Sequence, residues 1–477
     1  MPLQLQLCKD YTSFNHNILL ISEKTNVADL GLTKTLTAEA TAFFAEKGNT
    51  LFVQQYEGRS LTIVKLDTSR EEYRTLEQTR KAGNGINKYL NGKKAKEASV
   101  HNATGVAAIT TAFAEGVALS NYDFLKYKTK DKREKTLATL HFDARSADKA
   151  TLDEVSKIVT ANFFARTLIN EPLSYLTATQ LAKDIQKAGK TYGFSVTVFD
   201  KKKIEQLKMG GLLSVNKGSI DPPTFTVMEY KGPKAKNKKP VVLVGKGVVY
   251  DTGGLSLKPT PNSMDMMKCD MSGAAAVAGV FVAAALLKLP VHIVGLIPAT
   301  DNRPGMNAYV PGDVVTMMSG MNVEMLNADA EGRMILADAL HYAKRYNPEL
   351  VFDFATLTGA AKAATSSIAA PFMGTASEEV KKKLLTSANN TYERLIELPL
   401  WEEYGELIKS DVADIKNVGG PEAGSITAGK FLEHFTDYPW MHFDIAGTAY
   451  LMGEDSYRGK YGTAYGVRLI TDFLKNY

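Results

Sequence analysis

Apolar residues along the chain follow two different spacings, and the segments that carry them alternate. Short apolar runs such as Val241–Val244 have the length and β-branched content of strands, whereas Glu71–Leu90 repeats its apolar residues at helical intervals. Strands that alternate with helices are typical of α/β proteins with a mainly parallel sheet. We therefore predict an α/β fold. The predicted strands are Asn17–Ser22, Leu51–Tyr56, Leu61–Leu66, Leu137–Phe142, Val196–Phe199, Thr224–Tyr230, Val241–Val244, Val291–Ile297, Leu350–Phe354 and Met441–Ile445.

The length of the chain predicts more than one domain, because 477 residues exceed what one compact core accommodates. We predict a smaller N-terminal α/β domain over residues 1–146, a connecting helix over residues 147–172 that Pro172 ends, and a larger domain over residues 173–477. The larger domain is expected to have a mainly parallel central sheet flanked by helices. Its longest apolar stretch, Ala274–Leu287, is too short to span a bilayer and predicts a buried helix.

Composition and charge narrow the class of protein. The two cysteines, Cys8 and Cys269, exclude a disulfide framework, and the N-terminus lacks a secretory apolar region. We therefore predict a cytoplasmic protein that does not contact membranes. The net charge of +5 is small, and its basic runs are local, at Lys126–Arg133 and Lys231–Lys239. We interpret the second run as a solvated hairpin tip between two strands, so nucleic-acid binding is kept only as an alternative.

Two polar segments interrupt this pattern and carry the candidate chemistry. In the segment Asn327–Arg333, two carboxylates and a guanidinium stand on alternate residues directly before a helix-like run. Upstream, a β-like run and a Gly-rich turn carry two lysines and two aspartates. Singly, such residues are more typical of helix caps and exposed surfaces. The candidate residues of the two segments are Lys246, Asp251, Lys258, Asp270, Asp329, Glu331 and Arg333.

If the fold brings the four carboxylates together, their mutual repulsion requires cations, and two divalent ions would balance them. Oxygen-rich ligands do not decide the identity of the metal: Zn²⁺ and Mn²⁺ are candidates, and Co²⁺ and Mg²⁺ are further ones. Lys246 could join the ligands only as a neutral amine. A two-metal site can present hydroxide to a carbonyl group, while Lys258 and Arg333 remain to polarise the carbonyl oxygen and to hold an anion that carries a proton. Phosphoester hydrolysis uses similar sites and stays open as an alternative.

Other motifs do not support competing chemistry. The glycines around Lys246 and Asp251 lack the order of a phosphate-binding loop, and no two histidines have the spacing of a zinc motif. We expect His442, on a predicted strand, to be a core residue or to support the metal ligands without being one, and we expect Asp353 to be structural and to hold a loop.

The segments NADAEGR, VGKGVVYDTGGLSLKP and MKCDMSGAA together resemble the fingerprint of the leucyl aminopeptidase family, the M17-type two-metal exopeptidases. The resemblance covers the chain from about Asn162 to its end. The chain departs from the family pattern with Ala328 in place of Thr, with Met334 in place of Leu, and with one extra residue between Lys258 and Asp270. Because the extra residue lies in the loop that follows Lys258, the position of Lys258 relative to the carboxylates is less well determined by the sequence than that of Asp270.

The resemblance implies a leucyl aminopeptidase that removes N-terminal residues from short peptides with a free N-terminus, and a macro-like N-terminal domain. It implies one metal held by Lys246, Asp251, Asp270 and Glu331, and another held by Asp251, Asp329 and Glu331. Lys258 would bind the carbonyl oxygen, and Arg333 would hold a bicarbonate ion that acts as general base. The family also implies a homohexamer. Residues implied to contact the substrate are Met267, Thr356, Gly359 and Ala446, with the backbone of Leu357; their apolar character predicts leucine-like first residues.

Overall fold

The computed structural model describes residues 3–130, 132 and 134–477, so part of the predicted basic run Lys126–Arg133 lies outside it. The described chain forms two compact units. The first unit contains the residues up to Thr160 together with Glu454–Gly459, and the second contains Ala161–Gly453 and Lys460–Tyr477. The predicted domain boundaries at residues 146 and 172 stay predictions.

Helices and strands alternate along much of the described chain, as the sequence pattern predicts, although some strands, such as Thr224–Lys231, Val241–Gly245 and Gly247–Asp251, follow one another without a helix between them. The strands are β1 Gln4–Cys8, β2 His16–Ser22, β3 Leu51–Tyr56, β4 Arg59–Leu66, β5 Glu97–Asn102, β6 Thr139–Asp143, β7 Ser195–Phe199, β8 Thr224–Lys231, β9 Val241–Gly245, β10 Gly247–Asp251, β11 His292–Asn302, β12 Asp313–Thr316, β13 Asn322–Met325, β14 Leu350–Ala355, β15 Ala369–Gly374, β16 Arg394–Glu397, β17 Ile415–Lys416, β18 Trp440–Asp444, β19 Tyr450–Asp455 and β20 Gly459–Gly462. The helices are α1 Lys34–Ala45, α2 Glu72–Gly92, α3 Ala107–Ser120, α4 Lys149–Asn170, α5 Ala178–Tyr192, α6 Lys201–Gln206, α7 Gly210–Asn216, α8 Ser272–Leu287, α9 Glu331–Ala343, α10 Gly359–Thr365, α11 Glu378–Thr391, α12 Glu403–Glu406, α13 Gly424–Glu433 and α14 Val467–Lys475.

The first unit is built on a sheet with the strand order β1-β6-β5-β2-β4-β3. All neighbours in it are parallel except β3 and β4. The sequence pattern did not predict β1 and β5, because β1 is mostly exposed and β5 mixes polar and small residues. These two strands are held by pairing with β6 rather than by a strong apolar signal of their own.

The second unit has a larger sheet with the order β16-β15-β18-β14-β9-β11-β8-β7, and β10 also pairs with β11. The strands β18, β14, β9 and β11 are mutually parallel and form its centre. The α/β fold class with a mainly parallel sheet is therefore confirmed. By length and composition alone Met264–Leu287 could cross a membrane, but 89% of its most apolar window is buried inside the fold. The predicted buried helix within it is α8.

The hairpin prediction for Lys231–Lys239 is wrong. Strand β8 pairs with β11 in antiparallel orientation, and β9 pairs with the opposite edge of β11 in parallel orientation. The strand β11 thus lies between the two strands that the basic run connects. All residues of β9 are buried, and burial on both faces is what an interior strand between two parallel neighbours requires.

The carboxyl ends of the central parallel strands lie at one edge of this sheet, which is where open α/β sheets bind ligands. The residues at or directly after these ends are Lys246 (β9), Asp251 (β10), Asn302 (β11), Thr356 (β14) and Asp444 (β18). Two further carboxylates lie at the starts of helices rather than at the ends of strands: Asp270 lies just before α8, and Glu331 is the first residue of α9. The fold therefore places strand ends and helix starts around one site.

Candidate metal centre

Lys246 lies at the centre of a group of buried acceptors. Its ammonium nitrogen is 2.7 Å from Asp270 Oδ2 and 2.9 Å from Glu331 Oε1, and it donates to the Thr356 carbonyl oxygen at 2.9 Å. Only 2% of Lys246 is exposed. A glycine is needed beside it, because a Cβ atom at Gly332 would lie 2.6 Å from Lys246 Cε. The start of α9 thus approaches Lys246 as closely as a backbone without a side chain permits.

Lys258 occupies the other half of the site. Its ammonium nitrogen lies 2.9 Å from Asp251 Oδ2 and also forms an ion pair with Asp329. The extra residue between Lys258 and Asp270 therefore does not remove Lys258 from the carboxylates. Ligand oxygens of Asp251, Asp329 and Glu331 all lie within 4.8 Å of one another, which is close enough for a shared cation.

The carboxylates of this site repel one another and are removed from water. Burial and the neighbouring carboxylates raise the pKa of Asp329 to about 7, and they also raise the pKa values of Asp251 and Asp270. Burial lowers the pKa of Lys246, but the carboxylates of Asp270 and Glu331 outweigh it and raise that pKa. As the side chains stand, Lys246 is therefore an ammonium ion, and ligation of a metal by its amine requires a divalent cation to displace the proton.

The donor set fits divalent cations. Asp270 Oδ2 and Asp329 Oδ1 are buried and accept no correctly directed hydrogen bond, although a lysine ammonium lies close to each. Buried carboxylate oxygens without directed donors are costly unless a cation coordinates them. Carboxylate oxygens with one amine are ligands that Zn²⁺, Mn²⁺ and Mg²⁺ accept.

Asn302 connects two of the carboxylates and was not predicted from the sequence. Its Nδ2 donates to Asp251 Oδ1 at 2.9 Å and to the Ala328 carbonyl oxygen at 2.9 Å, and it lies 3.4 Å from Glu331 Oε2. Asn302 is fully buried. The amide therefore fixes the relative orientation of Asp251 and Glu331, and it belongs to the supporting contacts that orient metal ligands.

Arg333 is a buried cation without a carboxylate partner among the described residues. Its Nη1 donates to the Asn417 carbonyl oxygen at 2.7 Å, its Nε has no hydrogen-bond acceptor there, and its guanidinium carbon lies 6.0 Å from the centre of the Phe431 ring. Burial lowers the pKa of Arg333 to about 10, which still leaves it charged at neutral pH. A buried guanidinium with an unused donor is suited to bind a small anion.

A cavity of about 490 Å³ opens onto these groups. It is lined by every residue that the sequence nominated for the site, namely Lys246, Asp251, Lys258, Met267, Asp270, Asp329, Glu331, Arg333, Thr356, Leu357, Gly359 and Ala446. The volume is in the range of small-molecule sites.

The loop after β14 forms one wall of the cavity, and the buried carboxylate of Asp444 holds it. Asp444 Oδ1 accepts from the backbone N–H of Leu357 at 3.1 Å and of Ala446 at 3.3 Å, and Oδ2 accepts from the Thr358 hydroxyl at 2.6 Å. Thr356 is held separately, because its hydroxyl donates to Asp270 Oδ1 at 2.8 Å. The wall is therefore fixed both to Asp444 at the end of β18 and to the carboxylate of Asp270.

Comparison with known proteins agrees with this geometry. A model of the catalytic domain of the cytosol aminopeptidase family matches residues 163–471, and a model of that family's N-terminal domain matches residues 32–131. The chain belongs to the cytosol aminopeptidase family. It is therefore a metal-dependent aminopeptidase, and the resemblance of its motifs to the leucyl aminopeptidases is confirmed.

Individual relatives of this cytosol aminopeptidase family member extend the similarity over most of the chain. A probable cytosol aminopeptidase of Chloroherpeton thalassium is 45% identical over 81% of this chain and 79% of that protein. One from Chlorobaculum tepidum is 54% identical over 66% of this chain and 62% of that protein. Among solved structures, the bottromycin maturation enzyme BotP in complex with Mn has a TM-score of 0.85 and 28% identity, covering 97% of this chain and 99% of that chain.

Two residues of this aminopeptidase were missed by the sequence reasoning for different reasons. Asn302 ends β11, but the predicted strand stopped at Ile297 because Pro298 follows it. Proline cannot donate a ladder hydrogen bond and normally ends a central strand. Asp444 lies within the predicted strand Met441–Ile445 and was given no role, and only its contacts with Leu357 and Thr358 give it one.

Proposed function

We propose that this aminopeptidase removes leucine-like N-terminal residues from short peptides by attack of a metal-activated water on the first peptide bond. The single observation that supports the proposal best is the convergence of ligand oxygens from Asp251, Asp329 and Glu331 within 4.8 Å at the base of the cavity. No comparable observation favours phosphoester hydrolysis or nucleic-acid binding.

In this proposal Lys246, Asp251, Asp270 and Glu331 hold one divalent ion, and Asp251, Asp329 and Glu331 hold the other. When bound, the two ions supply a water of lowered pKa and a ligand for the free amine of the substrate. The need for a free amine restricts cleavage to the first peptide bond. Zn²⁺ and Mn²⁺ are the leading candidates, and the Mn in the similar BotP structure supports the second; Co²⁺ and Mg²⁺ fit the same ligands.

The remaining cations divide two tasks between them. Lys258 lies against Asp251 and Asp329, and from there its ammonium donates to the carbonyl oxygen of the bond to be cleaved and stabilises the negative charge that develops on it. Arg333 holds a bicarbonate ion as general base, and its unused buried Nε supports a bound anion at this place.

The first side chain of the peptide would lie against Met267, Thr356, Gly359 and Ala446, all of which line the cavity. A Cβ atom placed at Gly359 would meet no atom of the described residues within 4 Å apart from its chain neighbours, so this part of the wall has room for a substrate. The backbone of Leu357 would accept from the substrate amine or from the attacking water.

We also propose a homohexamer and a cytoplasmic location. Exposed apolar side chains on segments that adjoin the site support self-association, because large exposed apolar patches usually mark contacts between proteins. These side chains are Leu255, Leu257, Met306, Val310, Val314 and Leu326. Light scattering after size-exclusion chromatography tests the hexamer. The family's name and the burial of α8 inside the fold support the cytoplasmic location.

The deciding experiment measures hydrolysis of leucine amide after removal of metals with a chelator and separate addition of Mn²⁺, Zn²⁺, Co²⁺ and Mg²⁺. Release of leucine that returns with metal, and that N-acetyl-leucine amide does not show, is the expected result. An aryl phosphate serves as the control substrate, and turnover of that compound without turnover of leucine amide would overturn the proposal. An Asp329→Ala variant that kept full activity at saturating metal would contradict the ligand assignment.

A further inference from the structure

One wall of the cavity carries a lysine that the proposed chemistry does not use. Lys362 lies on α10, three residues after Gly359, and both residues line the cavity. Helical residues three apart share a face, so Lys362 continues the wall that Gly359 begins. The backbone of Lys362 is also close to the segment after β18, because a Cβ atom at Gly447 would lie 3.4 Å from Lys362 Cα.

The position of Lys362 relates it to the first side chain of the substrate. Gly359 and Ala446 are two of the four residues proposed to contact that side chain, and Lys362 neighbours both, along the helix and through Gly447. A lysine ammonium on its flexible four-carbon stem can reach several ångströms from its backbone. The wall therefore combines the small residues Gly359 and Ala446 with a lysine that can bring a positive charge to it.

The charge of Lys362 is not neutralised by the described part of the chain. The ammonium groups of Lys246 and Lys258 are each paired with two carboxylates. Lys362 is exposed to solvent and forms no ion pair with a described residue. All the carboxylates that line the cavity are those of the metal centre. An anionic group on a ligand would thus meet a positive partner at this wall without competition from the protein.

We propose that Lys362 binds a carboxylate of the substrate and so admits aspartate and glutamate as first residues, beside leucine-like ones. This inference rests on the proposed function and refines its substrate class. The apolar part of the wall accommodates the methylene groups of an acidic side chain, and the ammonium of Lys362 pairs with its carboxylate. Because the pair is partly exposed to water, we expect Lys362 to change selectivity by about fivefold.

The test compares kcat/KM for glutamic acid 1-amide and leucine amide in the wild type and in Lys362→Met, which keeps the length of the side chain and removes its charge. We expect the glutamate-to-leucine ratio to fall about fivefold. The ratio does not depend on the fraction of active enzyme, since both substrates are measured on one preparation. In Lys362→Glu the ratio falls further and lysine amide becomes a better substrate. Lys201→Met, which removes a lysine outside the cavity, leaves the ratio unchanged.

A second pair of substrates identifies the source of the carboxylate. If Lys362→Met impairs leucyl-glycine but neither leucyl-glycine amide nor glutamic acid 1-amide, Lys362 binds the C-terminal carboxylate of a dipeptide, and the side-chain assignment is overturned. Ratios that stay within twofold of the wild type for all pairs would overturn any carboxylate role.

Binding separates this proposal from the proposed function. The dissociation constants of leucine hydroxamate and of glutamic acid 1-hydroxamate can be measured by calorimetry on the metal-loaded protein without turnover. If the wild type does not hydrolyse amides but Lys362→Met still loses about fivefold of its preference for the glutamate compound, the proposed function fails and the role of Lys362 stands. If the preference is the same in both proteins, the role of Lys362 fails irrespective of activity.

Discussion

Replacing Asn302 with leucine tests whether this buried amide holds the metal ligands in place. Leucine has the same number and branching of side-chain heavy atoms, although it is larger, and it cannot donate to Asp251, to Glu331 or to the Ala328 carbonyl oxygen, which Asn302 contacts at 2.9, 3.4 and 2.9 Å respectively. After the substitution Asp251 Oδ1 keeps the donor of the Gly253 backbone, at 2.8 Å. Asp251 Oδ2 keeps the Lys258 ammonium at 2.9 Å, so the carboxylate stays in place but loses the contact that fixes it relative to Ala328 and Glu331.

The size of the effect follows from the number and charge of the lost contacts. A hydrogen bond to a charged group contributes about 1.5–3 kcal/mol, and loss of a residue that orients metal ligands typically weakens metal binding by about 10- to 100-fold. The short contact to Asp251 is the main one, because the 3.4 Å contact to Glu331 is long. We therefore expect metal affinity to fall by about 10- to 100-fold, with turnover restored in large part at saturating metal.

The assay is competition for Mn²⁺ or Zn²⁺ against a chromophoric chelator, with the bound metal counted by elemental analysis. Asn216→Leu is the matched control, since Asn216 is also buried and donates to the Asp221 carbonyl oxygen at 2.8 Å, but it touches no carboxylate of the site. We expect that variant to lose thermal stability without a change in metal affinity. Equal dissociation constants for Asn302→Leu and the wild type would refute the reasoning.

Three further predictions concern other buried contacts of the catalytic unit. Asp444→Asn removes an acceptor from the substrate-facing loop, so kcat/KM for leucine amide should fall about tenfold while the bound metal count stays constant. Gly332→Ala places a methyl group against Lys246 Cε, 2.6 Å away, so elemental analysis should find less than the wild-type metal content. Burial lowers the pKa of His442, but Asp353 outweighs it and raises that pKa above 6.5. The pair therefore stabilises the fold below pH 6.5 and loses this contribution as the pH rises through the folded-state pKa, so chemical denaturation should show Asp353→Asn costing more at pH 6 than at pH 9.

Sequence patterning predicted most reliably the elements with long apolar runs, whereas it missed the short buried strands β10 and β15. Strand β9 and helix α8 are buried along nearly their whole length, and their apolar runs fixed both the type and the position of the element. The weakly apolar strands β1 and β5 were not predicted, because pairing with neighbouring strands, rather than their own residues, determines their position. The expected core position of His442 is confirmed, since it is fully buried and its Nδ1 lies 2.6 Å from Asp353 Oδ1. Asp353 was expected to hold a loop, but its carboxylate contacts Trp440 and His442 on β18 instead.

The candidate site was predictable only in part, for a reason of geometry. The motifs identified the charged residues, but which lysine faces which carboxylate depends on long-range packing. Lys246 contacts Asp270 and Glu331, whereas Lys258 contacts Asp251 and Asp329, and no pattern along the chain contains this pairing. Asn302 was not predicted because the predicted strand ended before Pro298. In the structure Pro298 lies inside β11, opposite Phe225, and the strand continues to Asn302. A rule that ends every strand at a proline fails where the strand tolerates the missing N–H of that proline.

The arrangement of the site also explains how four carboxylates, three of them fully buried, can lie together in one fold. Asp270 lies directly before α8 and Glu331 begins α9, and the partial positive charge of a helix start favours a carboxylate there. The two lysines come from the opposite elements, after β9 and beyond β10, and each faces one pair of carboxylates. Close approach of the elements is essential to this pairing: a Cβ atom at Gly273, in the first turn of α8, would lie 1.9 Å from the Phe354 carbonyl oxygen of β14. The glycines at the starts of α8 and α9 therefore allow these helices to approach the sheet closely. This close approach brings the carboxylates at the helix starts within reach of the lysines.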